Sequence, residues 1–225
     1  MQIDIISVLP EMMESPLSQS IVQRARQKGL VQINLIGLRE FGLGAYKQLD
    51  DYPYGGGGGM VLRVEPLAAC IEHLLQQQTY DEIIYLTPDG EQLNQKTVNS
   101  LSTKNNLLLI CGHYKGIDQR IRDKYVTCEI SIGDYVLSGG EIAACVLADA
   151  IVRLIPGVLS DEMSALSDSF QDGLLAPPVY TRPEIWEGRS VPEVLISGHE
   201  KRIAEWRLEE SIARTRKRRP DLLDE

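Results

Sequence analysis

Five short apolar runs recur between Ile3 and Ile132. They span residues 3–9, 31–36, 83–86, 107–111 and 126–132. Each run is rich in Ile, Val and Leu and is continuous rather than alternating, which is typical of strands buried on both faces. Segments with helical periodicity separate the runs. The sequence therefore predicts an α/β fold with a mainly parallel sheet.

The intervening segments carry apolar side chains at helical spacing. This pattern predicts helices over residues 15–28 and 64–78, and Asn94 is a suitable N-cap for a short helix that ends near Leu101. Residues 141–155 are apolar on almost every side, so this helix should be buried or should form an interface.

The composition changes after Gly157. Residues 160–173 hold four serines and four acidic residues with little apolar content, which is typical of a flexible linker. Beyond them, Ser197 and Glu200 form a capping-box pattern before a helix that should end near Arg218. We therefore predict a first domain over residues 1–159, a linker over 160–173, and a small helical domain over 174–225.

The charge balance is acidic overall but uneven along the chain. There are 23 basic and 32 acidic side chains, so the formal net charge is −9, which taken alone argues against a nucleic-acid partner. Residues 199–219 reverse the sign, with eight basic and four acidic residues. A solvated helix face explains such a block as well as a nucleic-acid contact does.

The chain also lacks signals for export or metal binding. No apolar run approaches the roughly 20 residues that a membrane helix needs, and the N-terminus carries no secretory signal. The four cysteines form no CxxC pair and complete no metal-ligand spacing with the three histidines. We expect reduced, structural thiols in a cytoplasmic protein that does not bind membranes.

Three glycine-containing segments each follow a predicted strand. They span residues 86–90, 111–116 and 132–140, and neither a G-x-G-x-x-G nor a P-loop motif is present. Glycines often only make turns. Because the carboxyl ends of parallel strands meet at one edge of a sheet, however, three such loops in succession favour a crevice that holds a small molecule through main-chain groups.

A fourth segment holds five consecutive glycines, Gly55 to Gly59, ahead of Met60. A flexible linker is one explanation. The run lies inside the first domain and loses much conformational entropy on folding, so close passage of a ligand or of another chain is the explanation we favour.

Seven motifs in this order carry a family resemblance: DDYPYGGGGGM, YLTPDG, CGHYKGID, SIGDYVLSGGE, DAIVRLIPGVL, DSFQDGLL and YTRPEIWEG. Together they resemble the bacterial tRNA (guanine-37-N1)-methyltransferases of the SPOUT superfamily over effectively the whole chain. The resemblance implies a parallel α/β sheet with a C-terminal trefoil knot, followed by a small all-helical domain. It also implies methylation of N1 of guanine 37, next to the anticodon of tRNA, by an obligate antiparallel homodimer.

The resemblance further implies that S-adenosylmethionine binds in the knot, with the active site at the subunit interface. By motif, the cofactor-binding residues are Leu86, Thr87, Pro88, Gly90, Gly112, Tyr114, Ile132, Gly133, Tyr135, Leu137, Gly139 and Gly140.

Two residues acquire catalytic roles only through the resemblance. Methylation of guanine N1 requires loss of its proton and leaves negative charge on O6, so a general base and a fixed cation are needed. The resemblance assigns the base to Asp168 and the cation to Arg153. Without it, Asp168 would be an ordinary solvated acid of a polar loop, and Arg153 would equally complement a helix C-terminus.

The basic block then becomes a candidate tRNA-phosphate surface. Its members are Lys201, Arg202, Arg207, Arg214, Arg216, Lys217, Arg218 and Arg219. Trp206, between them, is expected to belong to the core rather than to stack on a base.

Two departures from the family pattern stand out. Lys115 and Ala176 occupy positions where the family often has Glu and Asp. The change argues against a carboxylate-bound Mg²⁺. Two alternatives to the leading function are another SPOUT enzyme, such as a ribose 2′-O-methyltransferase, and a non-catalytic RNA-binding dimer.

Overall fold

A computed structural model describes residues 1–159 and 168–223. The chain divides into two compact units, Met1–Ser160 and Asp161–Glu225. Within the predicted linker, residues 160–167 lie outside the described residues.

The first unit is built on a parallel sheet of five strands, in the order β2-β1-β6-β5-β7. The strands are β1 (Gln2–Ser7), β2 (Gln32–Gly37), β5 (Glu82–Gln92), β6 (Asn106–Cys111) and β7 (Cys128–Ser131). Two-residue strands β3 (Asp50–Asp51) and β4 (Val61–Leu62) pair with each other apart from this sheet. All five predicted strands and their parallel arrangement are confirmed.

Helices cover both faces of the sheet. They are α1 (Glu11–Leu17), α2 (Ser20–Gln27), α3 (Val64–Leu75), α4 (Gln95–Ser102), α5 (Gln119–Tyr125) and α6 (Glu141–Val152). On one face Ile3 and Ile5 pack in a core with α1, α2, α4 and α6. On the other face Ile6 and Leu108 pack with α3 and α5. This two-sided burial is why the strands are continuous apolar runs.

Two predicted helix features have different outcomes. Asn94 is confirmed as the N-cap of α4, because its side-chain oxygen accepts a hydrogen bond from the backbone N–H of Thr97. The single helix predicted over residues 15–28 is wrong. The chain breaks it into α1 and α2, and Ser20 has a φ of +52°, a left-handed conformation that a continuous helix cannot contain.

The first glycine segment lies within a strand rather than after it. β5 continues to Gln92, and its pairing with β7 shifts register between Leu86 and Glu91. Residues 87–90 are therefore the extra length of an irregular strand pair. The prediction that β5 ends at Leu86 is wrong, because the polar Glu91 and Gln92 lack the apolar signal of a buried strand.

The second unit contains α7 (Glu193–Ile196), α8 (Glu200–Arg218) and a hairpin of β8 (Ile185–Trp186) and β9 (Arg189–Ser190). The hairpin corrects the prediction of an all-helical domain. It turns at Glu187 and Gly188, which both have positive φ, as a tight hairpin turn requires.

The predicted capping box at the start of α8 is wrong. His199 is the N-cap, without a side-chain cap, and Ser197 instead accepts a hydrogen bond from the N–H of His199. The predicted end of the helix at Arg218 is confirmed. Nowhere in residues 1–159 and 168–223 is a helix both long and apolar enough to cross a membrane.

Candidate active site

A cavity of about 400 Å³ lies in the first unit, lined by residues 85–89 within β5 and by the segments that follow β6 and β7. β5 lies between β6 and β7 in the parallel sheet, so its irregular stretch and the two following segments meet at one edge. The cavity brings together eleven of the twelve predicted cofactor-binding residues, namely Leu86, Thr87, Pro88, Gly112, Tyr114, Ile132, Gly133, Tyr135, Leu137, Gly139 and Gly140.

Gly90 is the predicted residue that does not line the cavity. A Cβ atom at Gly90 would lie 2.6 Å from the carbonyl carbon of Glu129 and from the nitrogen of Ile130. Glycine is thus required there by the close approach of β5 to β7. Its role in the structure is strand packing.

The cavity wall is closed by the return of residues 139–140 to the end of β6. The N–H of Gly140 donates to the carbonyl of Gly112 at 2.8 Å, and Gly139 forms an isolated antiparallel β-bridge with His113. A Cβ at Gly140 would lie 2.7 Å from Cα of Cys111. Only glycine permits this backbone contact. The implied trefoil knot would pass through this crossing and stays a prediction.

A cluster of three charged residues stiffens one side of the cavity. Arg122 of α5 donates from Nε to Glu129 at 2.7 Å and from Nη2 to Asp89 at 2.8 Å. The hydrogen bond from Thr87, followed by that from Arg122, lowers the pKa of Asp89. Hydrogen bonding to Glu129 raises the pKa of Arg122. The cluster connects α5, β5 and β7, and its single guanidinium is shared by two carboxylates.

The glycine run touches the cavity at one end. The N–H of Lys115 donates to the carbonyl of Met60 at 3.0 Å, and the N–H of Leu62 donates to Gly116 at 3.0 Å. A Cβ at Gly59 would lie 2.8 Å from Cγ of Lys115. By contrast, a Cβ at each of residues 55–58 would have no atom within 4 Å. The expected ligand or chain beside these glycines stays a prediction.

The cavity offers both main-chain polar groups and apolar side chains to a ligand. Its walls combine backbone with apolar side chains. The backbone is accessible to a ligand at four glycines, because they have no side chain: Gly112, Gly133, Gly139 and Gly140. Such walls can contact an adenine and a ribose through N–H and C=O groups. The residues present therefore fit an adenosyl compound.

Comparison with known proteins decides the family. A sequence profile described as tRNA (Guanine-1)-methyltransferase TrmD matches residues 1–225. This chain belongs to the TrmD family. A relative from Christiangramia forsetii is 59% identical over 225 residues, and one from Bacteroides fragilis is also 59% identical over 225 residues. A third, from Flavobacterium psychrophilum, is 58% identical over 224 residues.

These TrmD relatives are each named tRNA (guanine-N(1)-)-methyltransferase. The matches cover 100% of this chain and 100% of each of the three relatives. The resemblance inferred from the seven motifs is confirmed, and TrmD membership makes the fold a SPOUT fold.

The two residues with implied catalytic roles lie in different units of this TrmD chain. Arg153 is the C-cap of α6, in the first unit, and its N–H donates to the carbonyl of Asp149 at 3.2 Å. Asp168 is half-buried in the second unit and lines a cavity there together with Ala176 and Arg207.

The basic block lies on α8 and its C-terminal end. Lys201, Arg202, Arg207, Arg216, Lys217 and Arg218 are exposed, and Arg214 is half-buried. Arg219 is paired with Asp221. Trp206 is half-buried, with its ring centroid 6.5 Å from that of Tyr180.

The donor set does not fit a magnesium ion. Among residues 1–159 and 168–223, no three His, Cys, Asp or Glu side chains converge in a way that could hold a metal. Position 115, on the cavity, carries an ammonium group instead of a carboxylate, and position 176 carries a methyl group. The side chains at these two positions therefore supply no carboxylate ligand.

The cysteines at 70, 111, 128 and 145 are all free thiols.

Sequence reasoning missed three features of these surfaces. In the Asp89–Arg122–Glu129 cluster, Asp89 lies 33 residues before Arg122, and the sequence has no local signal for that pair. Nδ1 of His113 is buried without a hydrogen-bond partner among the described residues. Trp186 is 57% exposed at the hairpin; the Glu-Gly turn beside it was a signal that could have located the hairpin.

Proposed function

We propose that this protein transfers a methyl group from S-adenosylmethionine to N1 of guanine 37 in tRNA. The observation that carries the proposal is the full-length match to the TrmD family together with a cavity that gathers three glycine-bearing segments at one edge of the sheet. S-adenosylmethionine, when bound, supplies an electrophilic methyl group on a sulfonium. The cavity backbone at Gly112, Gly139 and Gly140 would hold its adenosyl part.

Asp168 is proposed as the general base. Guanine N1 carries a hydrogen at neutral pH, and its lone pair becomes nucleophilic as that hydrogen leaves. The carboxylate of Asp168 accepts the proton from N1. Its position in a loop of the second unit suits a base that is brought to the target together with the RNA.

Arg153 is proposed as the cation beside O6. Removal of the N1 proton delocalises negative charge onto this oxygen. A guanidinium at that point stabilises the charge by a few kcal/mol where water is excluded. Arg153 follows directly on α6, whose buried face anchors it to the sheet core.

We assign binding of tRNA to the basic side chains of α8.

We also propose that the active enzyme is a cytoplasmic homodimer with its active site at the subunit interface. The dimer proposal is supported by α6. Two apolar side chains one turn apart on this helix, Ile142 and Val146, are 47% and 44% exposed. Contact with a second copy would remove this apolar area from water.

Primer extension on tRNA treated with enzyme and methyl-labelled S-adenosylmethionine tests the function. A methyl group on N1 blocks base pairing, so reverse transcription should stop next to guanine 37. Label transfer without a stop would instead indicate ribose methylation. No label transfer at all would indicate a non-catalytic RNA-binding dimer.

A further inference from the structure

One cation that lines the cavity of the first unit has no ion partner within the described part of the chain. Its charged lining side chains are Asp89, Arg122 and Lys115. Asp89 and Arg122 are paired with each other, and Arg122 also pairs with Glu129. Lys115 has no ion pair or side-chain hydrogen bond anywhere in residues 1–159 and 168–223. Its ammonium group is therefore available to an anionic part of whatever occupies the cavity.

The backbone and stem of Lys115 are held in place. Its N–H is bonded to Met60, and the following Gly116 accepts from Leu62. The stem lies against Gly59, where a Cβ would approach Cγ to 2.8 Å and Cε to 3.1 Å. Gly59 also has a φ of +95°, which few other residues adopt. The glycine thus leaves a channel for the lysine stem along the cavity wall.

We propose that the ammonium group of Lys115 binds the carboxylate of the methionine part of S-adenosylmethionine. The inference rests on the proposed function. The carboxylate is the one anionic group of this ligand at neutral pH, whereas its adenine and ribose are neutral. A Lys–carboxylate contact is a charge-assisted hydrogen bond, and it is stronger beside the low-dielectric walls of a cavity than in water.

Two adenosyl probes separate this contact from the rest of the cavity. S-adenosylhomocysteine retains the carboxylate, and 5′-methylthioadenosine lacks the whole amino-acid end. Calorimetric titration of both probes into the full-length protein, without RNA, measures binding independently of catalysis. The variants are Lys115→Met, Lys115→Arg, and Lys96→Met as a matched control at an exposed lysine of α4.

Lys115→Met should raise the Kd of S-adenosylhomocysteine at least tenfold and change that of 5′-methylthioadenosine less than twofold. Lys115→Arg should keep the first Kd within threefold of wild type, and Lys96→Met should alter neither. The wild-type affinity for S-adenosylhomocysteine should also fall with added salt more steeply than that of Lys115→Met.

Three results would overturn the inference. Equal weakening of both probes would show that Lys115 only shapes the cavity. If probe binding is unchanged and the KM for tRNA rises, the ammonium group of Lys115 binds an RNA phosphate instead of the cofactor carboxylate. Failure of the wild-type protein to bind either probe would contradict the proposed function as well as this inference. The first two results would contradict the inference alone.

Discussion

The hydroxyl of Ser7, at the end of β1, donates a 2.7 Å hydrogen bond to Oε1 of Glu141, at the start of α6. Both residues are buried, with exposures of 0% and 1%. Oγ of Ser7 also accepts the N–H of Leu9. This contact holds the end of β1 against α6, the helix that follows the Gly139–Gly140 wall of the cavity.

Loss of the Ser7 hydroxyl should therefore destabilise the fold. Ser7→Ala leaves a buried carboxyl oxygen and the N–H of Leu9 without this partner, which costs about 1–3 kcal/mol. The measurement is the free energy of unfolding from urea titration. Ser18→Ala removes an exposed serine hydroxyl and serves as the control, with an expected change within about 0.5 kcal/mol. Equal effects of the two substitutions would contradict the structural role of the Ser7 contact.

Gly140→Ala should disrupt the cavity. The new methyl group would collide with the backbone of Cys111 and Gly112, and overpacking of this kind costs about 1–3 kcal/mol. We expect at least tenfold weaker binding of S-adenosylhomocysteine by calorimetry. Gly37→Ala is the matched control, because a Cβ there meets only Pro10 at 3.8 Å. Normal binding by Gly140→Ala would show that the crossing is looser than the contact distances indicate.

Asp168→Asn tests the proposed base. Asn retains the shape but cannot accept the N1 proton, so kcat should fall at least a hundredfold, while binding of S-adenosylhomocysteine should remain normal. Asp172→Asn is the control in the same loop, where Oδ1 of Asp172 accepts the N–H of Leu174. Its kcat should stay within threefold of wild type. Near-normal turnover of Asp168→Asn would exclude the assignment.

Neutralisation of the basic end of α8 should weaken tRNA binding. Replacement of Arg216, Lys217 and Arg218 by Gln removes three exposed cations. The KM for tRNA should rise, and the slope of log KM against log salt concentration should decrease by about 2, because fewer counterions are released. The corresponding triple change at Arg24, Lys47 and Lys96, all in the first unit, should leave the slope unchanged. If the two triple variants share one slope, the end of α8 is only a solvated surface.

The thiols should be poorly reactive in the native protein. Burial raises the pKa of Cys70 to about 12 and that of Cys145 to about 11. Burial also raises the pKa of Cys111. A thiol with a raised pKa stays protonated below that value and is then a weak nucleophile. At pH 8, iodoacetamide should label at most Cys128, which is half-buried. Mass spectrometry should detect four labels after unfolding; rapid native labelling of two or more would contradict this burial.

The sheet could be predicted because its signal is local. The buried strands are continuous apolar runs, and the rule that parallel strands open at their carboxyl ends predicted one crevice for the three glycine segments. The rule holds for the segments after β6 and β7, whereas the first segment reaches the crevice from within β5. Features that depend on pairing between distant residues could not be predicted. Glu91 and Gln92 belong to a strand only because β7 lies beside them, and Arg122 pairs with Asp89 and Glu129 only once α5 has packed.

The helix errors have the same origin. The apolar spacing of residues 15–28 continues across the break at Ser20, so periodicity alone could not locate it. The catalytic proposals are a different case. Nothing in the local pattern of Asp168 or Arg153 distinguishes them from a loop acid and a helix C-cap, and their proposed roles come from the family motifs.

The strand order has a consequence for how the protein is made on the ribosome. β1 is the first strand synthesised, yet it lies between β2 and β6, with Gln2 paired to both Gln32 and Asn106. One edge of β1 therefore stays open until β6 emerges, and its buried face lacks α6 for longer still. An exposed apolar edge of this kind is prone to pairing with other chains. The nascent chain thus exposes this apolar edge before the cavity exists, when no ligand of the cavity can yet stabilise the fold.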